Sequence, residues 1–327
     1  MSSEICIHVF SGTGNTMHAA RRIARAFSAK NIIAPILDIE KGGNCMSDAA
    51  HVFMFPVYAG SVPEIMSRHI AGLPRCARTR AAVVATMGSQ SPGREGNEGR
   101  ALEQACAELA ARGYLVFFTE AISYPGNITS FLNPPPQDLC DKITERADEK
   151  ADDAALAIVS GERHFRTNAA PAYAAGLVMG ALFLPLGRRL MGKCFAADNN
   201  CNGCGHCAGS CPAGAITLSG GRPVWRFSCQ GCQRCINDCP QRAIQFSLLR
   251  AFAMNFGWLI PWSLIFGLGL GWFSGFLFNF VFYAVTLPLA DSVFRRCDKF
   301  PALRRLLASS LSQDYRRYTM RERPEAK

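Results

Sequence analysis

The chain has 327 residues, enough for two or three domains, and a formal net charge of +10. Much of that charge is local: residues 295–327 hold ten Lys or Arg against four Asp or Glu, without the interleaved aromatics of a nucleic-acid arm. The fifteen cysteines do not read as a disulfide framework. Met1-Ser-Ser-Glu leads into a short apolar strand, not into the cationic and long apolar regions of a secretory leader, so reduced thiols in a cytosolic setting are expected.

Residues 1–160 alternate two patterns. Short β-branched or aromatic runs at 5–10, 32–39, 52–57, 81–87 and 114–121 are separated by helical stretches, clearest at 17–27, 63–70, 97–112 and 137–158. Five strands with crossover helices predict an α/β domain with a doubly wound parallel sheet. The first strand-to-helix turn is Ser11-Gly12-Thr13-Gly14-Asn15-Thr16. Backbone N–H groups at such a turn face the positive end of a helix dipole and suit an anion, and the hydroxyls add donors. The Lys-Ser/Thr pair of a Walker A loop is missing. A dinucleotide fingerprint would need a third glycine where Met17 stands, although Asp38 lies at a plausible distance for a ribose acid. A dinucleotide turn and a plain glycine turn both stay open on these residues alone. His18, His51 and His69 are scattered over strand and helix positions and read as structural.

The Ser11-x-Thr13-Gly14-x-Thr16 pattern after strand one resembles the FMN-phosphate loop of flavodoxins. Through strand order and loop position, the resemblance covers about the first 155 residues. It implies a flavodoxin-like sheet with FMN at its carboxyl edge, and a phosphate held by Ser11, Gly12, Thr13, Gly14, Asn15 and Thr16. The loops after strands three and four, 56–60 and 86–90, would flank the isoalloxazine. They offer Tyr58, Ala59 and Gly60 on one side and Thr86, Met87 and Gly88 on the other. Tyr58 is the stacking candidate; a half-buried loop anchor is the alternative. The chain departs from flavodoxins in having no aromatic residue over 86–97. Gly88, Gly93, Gly96 and Gly99 there suggest a mobile loop.

Residues 161–193 read as a linker. Within them 169–186 is apolar, interrupted by Pro171, Gly176, Gly180 and Pro185, and predicts a helix lying against a membrane or the next domain.

Residues 194–248 carry the most specific pattern. Cys201, Cys204, Cys207 and Cys211 form C-x2-C-x2-C-x3-C before Pro212, and Cys229, Cys232, Cys235 and Cys239 repeat it 28 positions later before Pro240. This is the bacterial-type ferredoxin spacing for two [4Fe–4S] clusters, in which the fourth cysteine of each string ligates the other cluster. Cluster I is therefore assigned to Cys201, Cys204, Cys207 and Cys239, and cluster II to Cys229, Cys232, Cys235 and Cys211. Zinc sites would use well-separated C-x2-C pairs. His206 reads as a loop residue, and Arg234 and Arg242 sit beside the cluster II string.

Residues 251–290 contain no charged side chain. Two helices, 252–270 and 273–290, predict a transmembrane hairpin, with 291–327 as a basic cytoplasmic tail. Residues 1–250 together resemble flavodoxin–ferredoxin fusion proteins. The resemblance implies an electron-transfer protein or oxidoreductase subunit carrying two [4Fe–4S] clusters and FMN and serving a redox protein partner, and the predicted hairpin adds membrane association with the redox domains on the cytoplasmic face. A flavin reductase acting on a small substrate and a membrane-bound iron–sulfur redox sensor are the other readings.

Overall fold

The computed structural model of the protein describes residues 4–43, 50–167, 170–183, 187–256, 272–308 and 316–320. The chain divides into two compact units. The first comprises Met1–Ile128, Pro134–Pro185 and Tyr318–Lys327, and the second Thr129–Asn133 and Leu186–Arg317.

The first unit is built on β1 (Ile5–Val9), β2 (Ile36–Asp38), β3 (Ala50–Pro56), β4 (Arg80–Ser89), β5 (Leu115–Pro125) and β6 (His164–Phe165). They form one sheet in the order β2-β1-β3-β4-β5-β6, every pair parallel. The first five strands follow the flavodoxin order 2-1-3-4-5, so this unit has a flavodoxin-like core. The sixth strand corrects the expected five. It has two residues, too few for a periodic signal, and extends the edge at Phe118 and Thr119.

Strand alternation sorts side chains into two cores. Ile5, Ile7 and Val9 of β1 join a cluster with Ala19, Ala20, Ile23 and Phe27 of α1 (Asn15–Ser28), and with Ala147, Ala151 and Ile158 of α4 (Gln137–Ser160). Phe53 and Phe55 of β3 face the other way, toward Met66 and Ile70 of α2 (Glu64–Gly72) and Leu102 and Leu109 of α3 (Ala101–Ala110). Beyond β6, Arg166 binds Glu95, Glu98 at 2.7 Å and Glu120 at 3.2 Å. Glu98 is buried, and this guanidinium pairs its charge.

The apolar segment expected against a membrane or the next domain forms α5 (Ala170–Leu182) and is seated on the first unit's own loops. Gly176 touches Gly60 and Gly99 backbone to backbone; a Cβ added at Gly176 would lie 2.3 Å from the Gly99 Cα. Gly180 lies against the Ser61 side chain, where an added Cβ would stand 2.3 Å from its Oγ. Glycines four apart leave a flat strip on the helix, and the positive φ angles of Gly60 and Gly99, 72° and 58°, form the loops that fit it. Leu177, Val178 and Met179 stay exposed on the outer side.

The second unit contains α6 (Arg188–Lys193), β7 (Phe195–Ala197), α7 (His206–Gly209), β8 (Ile216–Ser219), β9 (Arg222–Trp225), α8 (Arg234–Asn237), β10 (Ile244–Phe246) and α9 (Leu248–Phe256). Strands β7 and β10 pair antiparallel, and β8 and β9 form a hairpin turning at Gly220-Gly221. Phe195, Ile216, Trp225, Ile236, Ile244 and Phe246 form its core together with buried cysteines. Further helices follow, α10 (Trp272–Cys297) and α11 (Pro301–Leu307).

The described residues do not support the expected transmembrane hairpin. Among the described residues, no helix is long and apolar enough to cross a membrane. Most of the first expected span, 257–271, lies outside the described residues. The second does not stop at 290. It continues through Asp291, Arg295 and Arg296 to Cys297, with Pro288 inside it. Leu287, Ala290 and Phe294 pack on the core of the second unit, and Asp291 forms a buried 2.8 Å pair with Lys193. Leu277, Val281, Val285 and Leu289 recur every four residues and are exposed.

Candidate iron–sulfur centre and phosphate loop

Two loops and two one-turn helices bring the cysteine strings together. Their backbones repeat as their sequences do. Gly203 and Gly231 have φ of 75° and 68°, Gly205 and Gln233 76° and 58°, and Gly214 and Arg242 54° and 48°. Each pair is 28 residues apart, so the left-handed turns that wrap the thiols recur at matched positions even where the second copy lacks glycine.

Cys201, Cys204, Cys207 and Cys239 line one cavity, with Gly203, Gly205 and Pro240 around them. Burial and then the neighbouring Cys239, Cys201 and Cys204 push the Cys207 thiol up to about 11. Burial pushes Cys229 up to about 12, with Cys232 and Cys211 adding to it. Cys235 is raised well above its ordinary value, again by burial first and then by Cys232, Cys229 and Cys211. In each group, three thiols of one string meet the last thiol of the other. The raised Cys207, Cys229 and Cys235 resist ionisation, and a metal centre supplies the positive charge that makes such a set favourable.

Donors suited to cluster sulfur are in place. The backbone N–H groups of Ala215, Gly231 and Ala243 point at the sulfurs of Cys211, Cys229 and Cys239 at 3.3, 3.4 and 3.4 Å. The indole N–H of Trp225 is buried without an acceptor at normal distance, and it holds the Cys235 thiol down from beside that sulfur. Arg234, expected beside cluster II, donates to the Ser210 carbonyl at 2.9 Å and so ties the two strings together.

The loop between β1 and α1 is tightly organised. The Ser11 hydroxyl accepts from the Met17 N–H at 3.2 Å, the Thr16 and Thr86 hydroxyls bond at 2.7 Å, and the Asn15 amide donates to the Pro125 carbonyl at 3.1 Å. Asn15 Oδ1 is buried with no donor, and Gly14 takes φ +106°. Thr13 receives Asn127 at its hydroxyl and the Met320 N–H at its carbonyl, the latter at 3.1 Å. Met320 lies so close that a Cβ on Gly14 would stand 2.5 Å from its carbonyl oxygen. Hydroxyls, a helix N-terminus and an unpaired buried acceptor fit a phosphate with an attached polyol chain. The role of Met320 carries no sequence signal.

On the expected ring side, Tyr58 packs edge-on against Phe10, with centroids 6.3 Å apart. Ala59 and Gly60 follow it as a left-handed turn, under α5. Thr86, Met87 and Gly88 correct the expected loop. They remain in β4, paired with Ile122, Ser123 and Tyr124 of β5, because both strands run on to Ser89 and Pro125.

Residues 200–245 match the 4Fe-4S dicluster domain family. No curated protein matches the chain. Among solved structures, flavodoxin 2 from Bacillus cereus is similar at 17% identity, covering 48% of this chain and 97% of that one, with a TM-score of 0.34. The flavodiiron core from Synechocystis is similar at 16% identity, covering 49% of this chain, with a TM-score of 0.31. The rubredoxin oxygen:oxidoreductase of Desulfovibrio gigas is similar at 15% identity, covering 49%, with a TM-score of 0.33. This chain covers 36% and 37% of the last two. The chain thus joins an iron–sulfur domain to a unit whose strand order is that of flavodoxins.

Two features escaped the sequence reading. Cys6 is disulfide-bonded, which corrects its expected reduced state. Cys76, Cys106, Cys140, Cys194 and Cys297 form no disulfide, and Cys45 lies outside the described residues. His51 and His69, expected to be scattered, meet at His8. Nδ1 of His8 is 2.8 Å from His69 Nε2, and its Nε2 is 2.8 Å from His51 Nδ1. Strand periodicity was the available signal, since Cys6 and His8 share a face of β1 and His51 is the register partner of Cys6.

Proposed function

We propose that the protein is an electron-transfer protein passing single electrons between two [4Fe–4S] clusters and FMN within one polypeptide. The carrying observation is the convergence of two four-thiol sets, each drawing on both strings. Cys201, Cys204, Cys207 and Cys239 would hold cluster I, and Cys229, Cys232, Cys235 and Cys211 cluster II. Ser11, Gly12, Thr13, Gly14, Asn15 and Thr16 would hold the FMN phosphate, with Tyr58 to Gly60 and Thr86 to Gly88 toward the ring. When bound, the clusters exchange one electron each and the flavin exchanges one or two.

The chain's own residues set the conditions. The N–H groups of Ala215, Gly231 and Ala243 and the indole of Trp225 favour negative charge on cluster sulfur and raise the potential. Burial of Cys207, Cys229 and Cys235 excludes water from the sulfur atoms. The hydroxyls of Ser11, Thr13 and Thr16 orient a phosphate at the α1 N-terminus. A redox protein on one side and a second donor or acceptor on the other complete the proposed path.

Anaerobic purification tests this reading. About eight irons and one FMN per chain are expected. Two zincs without iron would refute the clusters, and iron without flavin would confine the function to them. Substituting Thr13 and Thr16 together by Ala should release the flavin while leaving iron content unchanged.

A further inference from the structure

Three imidazoles on the α2 side of the sheet, the buried His8 and His51 and the half-buried His69, have no part in the proposed electron path. His8 and His51 are 1% and 5% exposed, on a sheet face otherwise lined by Phe10, Phe53 and Phe55. A side chain from each of Cys6, His8 and His51 offers a ligand atom, all within 4.8 Å of one another. Two come from alternate positions of β1, and the third is the β3 register partner of Cys6. Strand register therefore fixes the three donors, without a flexible loop.

The hydrogen bonds assign the atoms. His8 Nε2 and His51 Nδ1 face each other at 2.8 Å. Nδ1 of His8 is turned to His69 Nε2 on α2, also at 2.8 Å. With a proton on Nδ1 donated to His69, the Nε2 lone pair of His8 is directed at His51 and Cys6. A metal-binding histidine typically has such a partner, which fixes its tautomer and ring plane. Two imidazoles and one thiolate make a borderline-soft set of the kind zinc takes, with a fourth position left for another light donor.

We propose that Cys6, His8 and His51 form a redox-gated zinc site on the first unit, with His69 as a positioning residue. With Cys6 disulfide-bonded, the sulfur is withheld. A phosphine supplies two electrons and water supplies two protons and the oxygen of the phosphine oxide that forms, so the S–S bond breaks to give two thiols. The Cys6 thiol then gives its proton to solvent as the Zn–S bond forms. Zinc changes no oxidation state. The His8–His51 pair opens by about half an ångström to reach the nitrogen separation of a tetrahedral zinc site.

Zinc K-edge absorption on the anaerobically purified full chain tests this without interference from iron. The protein is treated with a phosphine, loaded with zinc and desalted. About one zinc per chain is expected, with one sulfur near ~2.3 Å and two nitrogens near ~2.0 Å in its shell. His8→Asn and His51→Asn should each abolish the zinc and leave iron content unchanged. His69→Gln should retain it about 10 to 100 times more weakly. Protein not treated with phosphine should show no zinc–sulfur scattering. The proposal is overturned if no zinc is retained, as expected of a plain hydrogen-bonded histidine chain. It is equally overturned by a four-sulfur shell, which puts zinc in the cysteine strings, or by undiminished zinc in the His8 and His51 variants. The shell of the unsubstituted protein alone separates a Cys6–His8–His51 site from the other two outcomes, so a variant that fails to fold does not obscure the result.

Discussion

The crossed assignment of ligands can be tested by pairing substitutions. Cys201 and Cys239 stand in different strings but line the same cavity. Cys211 stands in the same string as Cys201 but raises the thiols of Cys229 and Cys235. If each set of four holds one cluster, losing any member removes about four of about eight irons. Cys201→Ala and Cys239→Ala should each leave about four irons. Their double variant should also leave about four, because both substitutions strike the same cluster. Cys201→Ala combined with Cys211→Ala should leave close to none. Alanine is the better choice than serine, whose hydroxyl can itself ligate iron. Iron and acid-labile sulfide per chain, measured on anaerobically purified protein, read out the count, and EPR of the reduced samples shows whether the remaining cluster is intact. Were each string to hold its own cluster, the outcomes would exchange. About four irons in the Cys201/Cys211 double variant and none in the Cys201/Cys239 pair would refute the crossed arrangement.

Three further outcomes follow from the packing of the first unit. His8 and His51 are held below the ordinary histidine range, so the unfolded chain takes up protons first as pH falls. Stability should be complete above about pH 6.5 and decline by up to about 1.4 kcal/mol per pH unit for each histidine below it. Urea titrations from about pH 7.5 to about pH 5 check this, and His8→Leu should flatten the dependence. Arg166→Met should destabilise the unit by about 3 kcal/mol, because it leaves the buried Glu98 charge unpaired; adding Glu98→Gln should recover most of the loss. Gly176→Val should lift α5 from Gly60 and Gly99, at about 1–3 kcal/mol, and speed limited proteolysis within 170–182.

What could be read from residues alone was whatever short spacing controls. Three cysteines on one turn with a Cys-Pro, repeated after 28 residues, leave little freedom, and the structure brings these thiols together in two sets. The alternating apolar runs likewise gave the order of strands and helices. Features set by distant contacts were hidden. Strand β6 is held by pairing to Phe118 and Thr119, not by its own two residues. The expected ring loop at Thr86 became strand because β5 offered partners as far as Pro125. The stretch 251–290 read as membrane-like from its lack of charge, yet the helix covering its second half runs into Asp291 and buries that carboxylate against Lys193. Composition alone cannot tell a helix that buries one face in protein from one that meets lipid on all sides.

One of the two places where the second copy lacks the matched glycine shows how such contacts enter. Gly205 gives the first loop its left-handed turn at no steric cost, but the matched position is Gln233, also left-handed at φ 58°. A non-glycine residue there costs about 1–2 kcal/mol, so a compensating interaction should exist in the second copy alone. It does: Gln233 Oε1 accepts the Ser130 N–H at 3.0 Å and the Thr129 hydroxyl at 3.2 Å, and all three residues are buried. Asn237, one turn further along α8, donates to the Gln233 carbonyl. Residues 129–133, which follow β5 in sequence, are thereby held in the second unit, where Phe131 packs on Phe246 with ring centroids 5.0 Å apart. A glycine at 233 would relax the turn and release that segment. The glutamine accepts local strain beside Cys232 and Cys235 and, in return, fixes residues 129–133 within the second unit.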